Sequence, residues 1–330
     1  MPRAAGESGK DKMPVITQAF VLGAGLGTRL RPLTDDLPKP LVPIFQKRLI
    51  TFALDHLIDL GFEKFHVNTH HRPEAFAGVF PKSIYYDRAI VFHHERALLE
   101  TAGGIANIAS ELADAPLLVY NGDILSDLPL IPLIETHLRD RNLVTLALRS
   151  GGGPQQIALD AGSRRVIDIR NQLGKNQPTD FVFTGIYVVD PEFVRQLERG
   201  VKRSVIPHFL HLIRDEQLGG AVIDDGNWWD VGTPTAYLDL HRRLPGLPFP
   251  SFPILDRNWR AQRHTTAKIA ADAAIEGCTV IGADVVVEEG ARLVDTIVWP
   301  GAQIASRSVL ENCIVRTHRT IEGKRRDIIV

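Results

Sequence analysis

Apolar residues gather along this chain in short runs that alternate between two periods. Val15 to Leu22 (VITQAFVL) is a nearly continuous apolar run and predicts a buried strand. Ile50 to Leu60 (ITFALDHLIDL) carries apolar residues at helical spacing, and Gly61 follows as a stop. Phe65 to Asn68 and Ile90 to Phe92 predict strands, and Pro73 to Phe80 a short helix with Pro at its first position. Gly104 to Leu112 is expected to be helical, and Pro116 to Tyr120 (PLLVY) is a fully apolar strand running into Asn121-Gly122-Asp123. A helix over Leu130 to Arg139 and a strand over Leu143 to Leu148 continue the alternation. Strand and helix in turn indicate an α/β fold with a mostly parallel sheet, in which ligands lie beyond the carboxyl ends of strands. From Gly151 to Asp230 the pattern loosens into short strands and loops.

Pro245-Gly246-Leu247-Pro248-Phe249-Pro250-Ser251-Phe252-Pro253 then predicts a stiff linker, taken as 245–260. Beyond it the period changes to six: Ile269, Ile275, Ile281, Val287 and Leu293, then, after one five-residue step, Val298, Ile304 and Leu310. Six-residue repeats mark a parallel β-helix, here over 261–330. It amounts to about three coils and needs a neighbour over its open ends: the 15–244 domain, another subunit, or both.

Composition adds mainly exclusions. The 44% hydrophobic and 23% charged residues fit an ordered globular protein. A net charge of −1 gives no overall field for nucleic acid or an anionic membrane, so an anionic ligand needs a local site. Cys278 and Cys313 offer neither a disulfide framework nor a zinc motif. Residues 1–14 are polar, without the apolar segment of a secretory signal, and are expected to form a flexible tail; with no apolar run of membrane-span length, a cytoplasmic location is expected. Gly9-Lys10 in that tail is not a P-loop, because Ala4 and Asp11 stand where Gly and Ser or Thr are required.

The candidate chemistry begins at the end of the first strand. VLGAGLGTRLRPLTDDLPKPLVP, Val21 to Pro43, is a Gly-rich turn followed by cations. It fails the dinucleotide fingerprint at Thr28, and in the P-loop pattern Gly27 would have to precede Lys. What remains is a backbone able to approach a ligand closely, with Arg29 behind it as a planar fork and Lys39, between Pro38 and Pro40, as a point charge. Asp123, after an apolar strand and a Gly, is expected at the ligand edge of the sheet, although turn capping is a common role for Asp. His66 and His70 would share a helix face, but the segment reads as a strand, so they are not expected to bind a metal. Trp228-Trp229 suits either stacking on a ligand or packing.

The stretch from Leu22 to Thr34 with Pro38-Lys39-Pro40-Leu41-Val42-Pro43 resembles the signature of sugar-1-phosphate nucleotidylyltransferases. The resemblance extends through Glu100-Thr101-Ala102-Gly103-Gly104, Val119 to Asp123, Phe183-Thr184-Gly185-Ile186-Tyr187 and Trp229-Asp230-Val231-Gly232-Thr233, about 15–244 in all. It implies a Rossmann-like domain, and many members add a C-terminal left-handed β-helix. The implied reaction is attack by a sugar-1-phosphate oxygen on the α-phosphorus of an NTP, with Mg²⁺ held by Asp123 and Asp230. Arg29 would hold the leaving pyrophosphate and Lys39 the phosphate under attack. Leu22, Gly23, Ala24, Gly25, Gly27, Thr28 and Gly122 would carry the nucleotide, with Glu100, Thr101 and Gly103 lining the base pocket. Thr184 and Gly185 would meet the sugar.

Two departures fall on the sugar side. The family's Glu-Lys-Pro is missing around Val166 to Gln172, where Arg170 is a candidate replacement, and Gln155-Gln156 stands where many members have Gly. Leu99 to Gly103 is similar both to mannose-1-phosphate guanylyltransferases and to N-acetylmuramate-1-phosphate uridylyltransferases, and the β-helix favours the former. The expected protein is thus a GTP-using, mannose-1-phosphate guanylyltransferase-like enzyme, a homo-oligomer through its β-helix. A uridylyltransferase and a non-catalytic nucleotide-sugar-binding subunit are the alternatives.

Overall fold

The computed structural model describes residues 16–249 and 257–330. The expected tail 1–14, Val15 and the middle of the expected linker lie outside them. The main sheet runs, from edge to edge, Leu218–Val222, Val144–Arg149, Val182–Val189, Leu117–Asn121, Gln18–Leu22, Lys64–Thr69, Arg88–His94 and Ile84–Tyr85. Its central strands are parallel: Gln18–Leu22 lies between Lys64–Thr69 and Leu117–Asn121. Val182–Val189 runs antiparallel to both of its neighbours. Helices cover both faces, so Phe20, Val21, Val119 and Tyr120 have no exposed surface.

The alternation read from residues 15–148 is present, with most element ends moved by one to three residues and one helix moved by four. The helix expected from Gly104 begins at Glu100, so Thr101 and Gly103 sit in its first turn. Between Gly151 and Asp230 lie regular elements that the sequence pattern did not resolve: the strand Val182–Val189 and the helices Pro191–Arg195 and Ile206–Arg214.

From Lys268 onward, short strands stack into three parallel sheets, one for each side of a β-helix. Ile281, Val287, Leu293, Val298, Ile304 and Leu310 all point into its core. The five-residue step leaves the stacking intact, since Ala274 pairs with Arg292 and Val280 with Ile297. The α/β part covers this helix along one side. Val280, Ile297 and Ile314 alternate with the inward residues, face outward, and join a core with Leu30, Leu33, Phe52, Tyr237 and Trp299. Trp299 Nε1 donates to the Tyr237 hydroxyl (2.9 Å), which donates to the Pro43 carbonyl (2.5 Å). Gln46 donates through its side chain to Ala261 O (2.8 Å) and Ile281 O (3.1 Å). On the flanks of the Pro-rich segment, Phe249 and Trp259 are buried against Phe52.

His241 ties this region together. Its Nδ1–H donates to Tyr237 O (2.8 Å), and its Nε2 accepts the Phe45 N–H (3.1 Å), so the ring is neutral with a fixed tautomer. Burial holds its pKa down to about 4, and does the same for His56. An unfolded histidine takes up its proton near pH 6.5, whereas these take it up only near pH 4. Their stabilising contribution is therefore complete above about pH 6.5 and is lost as the pH falls toward 4, on the order of 3 kcal/mol for each ring. Urea denaturation followed from pH 7.5 to 4.5 should show this decline. His241→Gln should be less stable at pH 7.5 but lose less stability on acidification; an undiminished pH dependence would contradict the assignment.

Candidate active site

The first central strand ends at Leu22, and both neighbouring strands anchor the loop that follows. On one side the Gly122 N–H donates to Leu22 O (3.0 Å). A β-carbon at Gly122 would lie 2.6 Å from that same oxygen, so only glycine allows the approach. On the other side Asn68 Oδ1 accepts from the Gly23 N–H (2.8 Å) and the Ala24 N–H (3.2 Å). Asn68 Nδ2 donates to Glu95 Oε1 (2.7 Å), while Glu95 Oε2 accepts the Leu99 N–H (2.8 Å). This buried chain of bonds fixes the Gly loop relative to the segment that precedes Glu100.

Three adjoining cavities follow this edge of the sheet. The first, about 190 Å³, is a cradle of Leu22, Gly23, Ala24, Gly25, Gly27 and Thr28, with Arg29, Lys39 and Asp123 at its far side. A second, about 280 Å³, shares Leu22 and Ala24 and is lined by Asn68, Leu98, Glu100, Thr101 and Ser204. A third, about 590 Å³, shares Arg29 and Asp123 and extends over Asn121, Gln156, Arg170, Thr184, Gly185 and Trp228.

The charged groups meet where the cradle joins the largest cavity. The Pro38-Lys39-Pro40 run forms a tight helical turn, and Lys39 is only 7% exposed. Its Nζ lies 2.7 Å from Asp123 Oδ2 and 3.4 Å from Asp230 Oδ1. The two carboxylates come together because Ile124–Ser126 pairs with Trp228–Asp230, placing Asp230 opposite Ile124, the residue after Asp123. Arg29 Nη2 is 3.6 Å from Asp230 Oδ2. Gly232 lines the cradle, and a β-carbon there would crowd both Asp230 and Arg29. Thr233 caps the following helix by accepting the Ala236 N–H (3.2 Å). Asp123 and Asp230 remain partly solvent-exposed and present hard oxygen donors side by side, which fits a divalent cation that also takes ligands from a phosphate.

Other expected site residues take different positions. Thr184 lines the largest cavity, but its hydroxyl proton goes to Ala147 O (2.8 Å). Gly185 packs on Asn121, with φ at 81°. Gly103 does not line the cavity beside Glu100, and a β-carbon added to it would collide with Val201 O. Glu100 faces that cavity and forms an ion pair with Lys202 (3.7 Å). Trp228 lines the largest cavity and donates to Thr184 O (2.8 Å), whereas Trp229 packs near Phe249. Arg170 Nε donates to Gln156 Oε1 (2.5 Å) at the wall of the largest cavity.

His66 and His70 do not pair, as expected from the strand. His66 instead meets His93 across neighbouring strands (3.0 Å), with Glu111 beside His93. Among the described residues these three form a group able to hold a metal, but none lines the three cavities. Burial, aided by His93, holds the His66 pKa down to about 4. Sequence reasoning missed Asn68, Glu95, Ser204 and Gly232. Asn68 is the last residue but one of the strand Lys64–Thr69, and Glu95 directly follows Arg88–His94, so both are polar residues at carboxyl ends of strands; Ser204 has no such local mark.

Residues 18–245 match the nucleotidyl transferase family model, and residues 260–326 match the GMPPB C-terminal domain. A mannose-1-phosphate guanylyltransferase from Mycobacterium tuberculosis is 31% identical over 306 residues, covering 89% of this chain and 82% of the relative. A UTP–glucose-1-phosphate uridylyltransferase from Synechocystis is 24% identical, covering 90% of this chain and 82% of that protein. The crystal structure of HddC from Yersinia pseudotuberculosis superposes with a TM-score of 0.57 at 21% identity, covering 68% of this chain and 97% of its own, a likeness of fold. No helix among the described residues is long and apolar enough to cross a membrane. With its sheet, its Gly loop and its paired carboxylates in this arrangement, the chain belongs to the nucleotidyl transferase family, as an enzyme of that family.

Proposed function

We propose that the chain transfers GMP from GTP to mannose-1-phosphate, releasing pyrophosphate, with Mg²⁺ held by Asp123 and Asp230. The observation that carries this reading is the convergence of Lys39, Asp123, Asp230 and Arg29 where the cradle meets the largest cavity. Nucleotidyltransferases of this family generally use a divalent metal. When bound, the ion would supply charge neutralisation for the two phosphates. The nucleophile is already an anionic phosphate oxygen, so the protein's work is positioning and charge compensation rather than proton abstraction.

The base occupies the cavity beside Glu100 and Thr101, and the triphosphate follows the backbone from Leu22 to Thr28. Arg29 grips the departing pyrophosphate with its guanidinium fork. Lys39, held almost out of solvent, supports the α-phosphate as the sugar-phosphate oxygen approaches. The sugar lies in the largest cavity near Asn121, Gly185 and Trp228. Arg170, aimed by Gln156, takes the place of the missing Glu-Lys-Pro lysine in holding the sugar phosphate.

The Mycobacterium tuberculosis relative, at 31% identity, is a mannose-1-phosphate guanylyltransferase, which supports the guanylyl reading. The uridylyltransferase reading is supported by the Synechocystis relative and by the Leu99 to Gly103 run. A non-catalytic nucleotide-sugar-binding subunit is disfavoured because both cations and both carboxylates are retained together. A cytoplasmic location, a boundary between catalytic and β-helix domains in the 245–260 stretch, and homo-oligomerisation through the β-helix complete the proposal.

Pyrophosphate release measured with Mg²⁺ should be fastest with GTP and mannose-1-phosphate in a matrix of nucleotides and sugar-1-phosphates. Turnover confined to UTP pairs would replace the reading with the second one. Asp123→Asn should lower kcat/KM by roughly a hundredfold or more, as several kcal/mol of charge stabilisation is lost, without a change in fold by circular dichroism. Arg170→Ala should raise KM for the sugar phosphate about 10- to 100-fold, the worth of a charge-assisted bond, with KM for the nucleotide nearly unchanged. A shift in the nucleotide KM alone would remove Arg170 from the sugar side.

A further inference from the structure

The loop that carries Arg29 is held from two directions. Leu30 and Leu33 are fully buried in the core shared with the β-helix. Thr34 Oγ1 donates to Gly27 O (2.8 Å), which closes the segment 27–34 into a compact unit. Arg29 itself is largely exposed and reaches Asp230 only at 3.6 Å. The position of its guanidinium therefore follows the backbone of this loop.

The outer side of the same loop is gripped by the β-helix. Arg316 follows the strand Ile314–Val315 on the side that faces the catalytic part. Its Nη1 donates to Pro32 O (2.9 Å) and to Asp36 Oδ2 (3.2 Å), and lies 3.8 Å from Asp35 Oδ2. Its side chain is only 14% exposed. Arg319 adds a second contact to Asp36 (3.4 Å). Near the C-terminus, Val330 O accepts the Arg316 N–H (2.8 Å), so the last residue of the chain helps fix the root of this side chain. A largely buried guanidinium on a carbonyl and a carboxylate holds geometry better than an exposed ion pair does.

We propose that Arg316 is a positioning residue: it sets the placement of Arg29, and through it the hold on the departing pyrophosphate, from a part of the fold that touches no substrate. This rests on the role assigned to Arg29 under the proposed function. The β-helix is then a working part of the active site and not only a scaffold. Pro32 and Arg29 lie in the same closed segment, so a backbone shift at one moves the other, and misplacement of a charge there is costly.

The test uses the full chain and two readouts. The first is hydrogen exchange of the amides in 27–36. Arg316→Ala should accelerate it, and Arg316→Lys should do so less. The second is binding of inorganic pyrophosphate with Mg²⁺ by calorimetry, alongside kcat where turnover is found. Arg316→Ala should weaken pyrophosphate binding and lower kcat about tenfold, with KM for the sugar phosphate within about twofold. In an Arg29→Ala background the same substitution should have almost no further effect on either quantity. Unchanged exchange in 27–36 would remove the clasp. Faster exchange with fully multiplicative effects of the two substitutions would remove the route through Arg29. Pyrophosphate binding that ignores Arg29→Ala altogether would instead strike at the proposed function, a result separable from the other two.

Discussion

The contact of the Lys39 ammonium with Asp123 and Asp230 is the constraint around which the catalytic part is arranged. Two carboxylates close together repel each other, and a cation removed from solvent is costly to bury alone. Each requirement answers the other, provided that the backbone delivers all three groups to one place. Lys39 comes from a turn stiffened by proline on both sides, Asp123 from the end of a central strand, and Asp230 from a short strand paired beside it. The groups are thus presented by backbone already committed to the fold, which keeps their geometry fixed while substrates come and go.

The same economy applies to the cradle formed by the Gly loop. Its neutral walls are mostly main chain, and their shape comes from hydrogen bonds to neighbouring strands. Asn68 and Glu95 are the agents, two buried polar residues whose bonding leaves the Gly loop little freedom. With the Gly23 and Ala24 amides already bonded to Asn68, a ligand entering the loop meets backbone that needs little reorganisation.

Much of this was legible in the chain. The Gly loop, Arg29, Lys39 and Asp123 were readable because glycine, proline and charge at a strand end each have a local physical meaning. The six-residue repeat was readable because its inward residues recur at a fixed interval. What escaped depends on pairing between distant segments. Val182–Val189 is apolar but holds Gly185 within it, and its antiparallel insertion between two strands has no local mark. Asp230 was found through resemblance, as nothing in its own neighbourhood says that it will stand beside Asp123. The β-helix was expected to need cover at its ends, whereas the catalytic part lies along its flank, because Val280, Ile297 and Ile314 form an outward apolar strip that a repeat search centred on the inward positions does not register.

That flanking arrangement has a consequence for how such proteins vary. The strip lies parallel to the axis along which the coils stack, and it begins at the first coil, where Gln46 holds Ala261 and Ile281 and Trp259 packs on Phe52. A rung added or removed between Ala261 and Arg316 would pull one of two contacts off its partner, Gln46 at the entry or Pro32 at the far coil. Coil number is therefore tied to the rest of the fold: the stack is a spacer whose length matches two anchor points, Gln46 and Pro32.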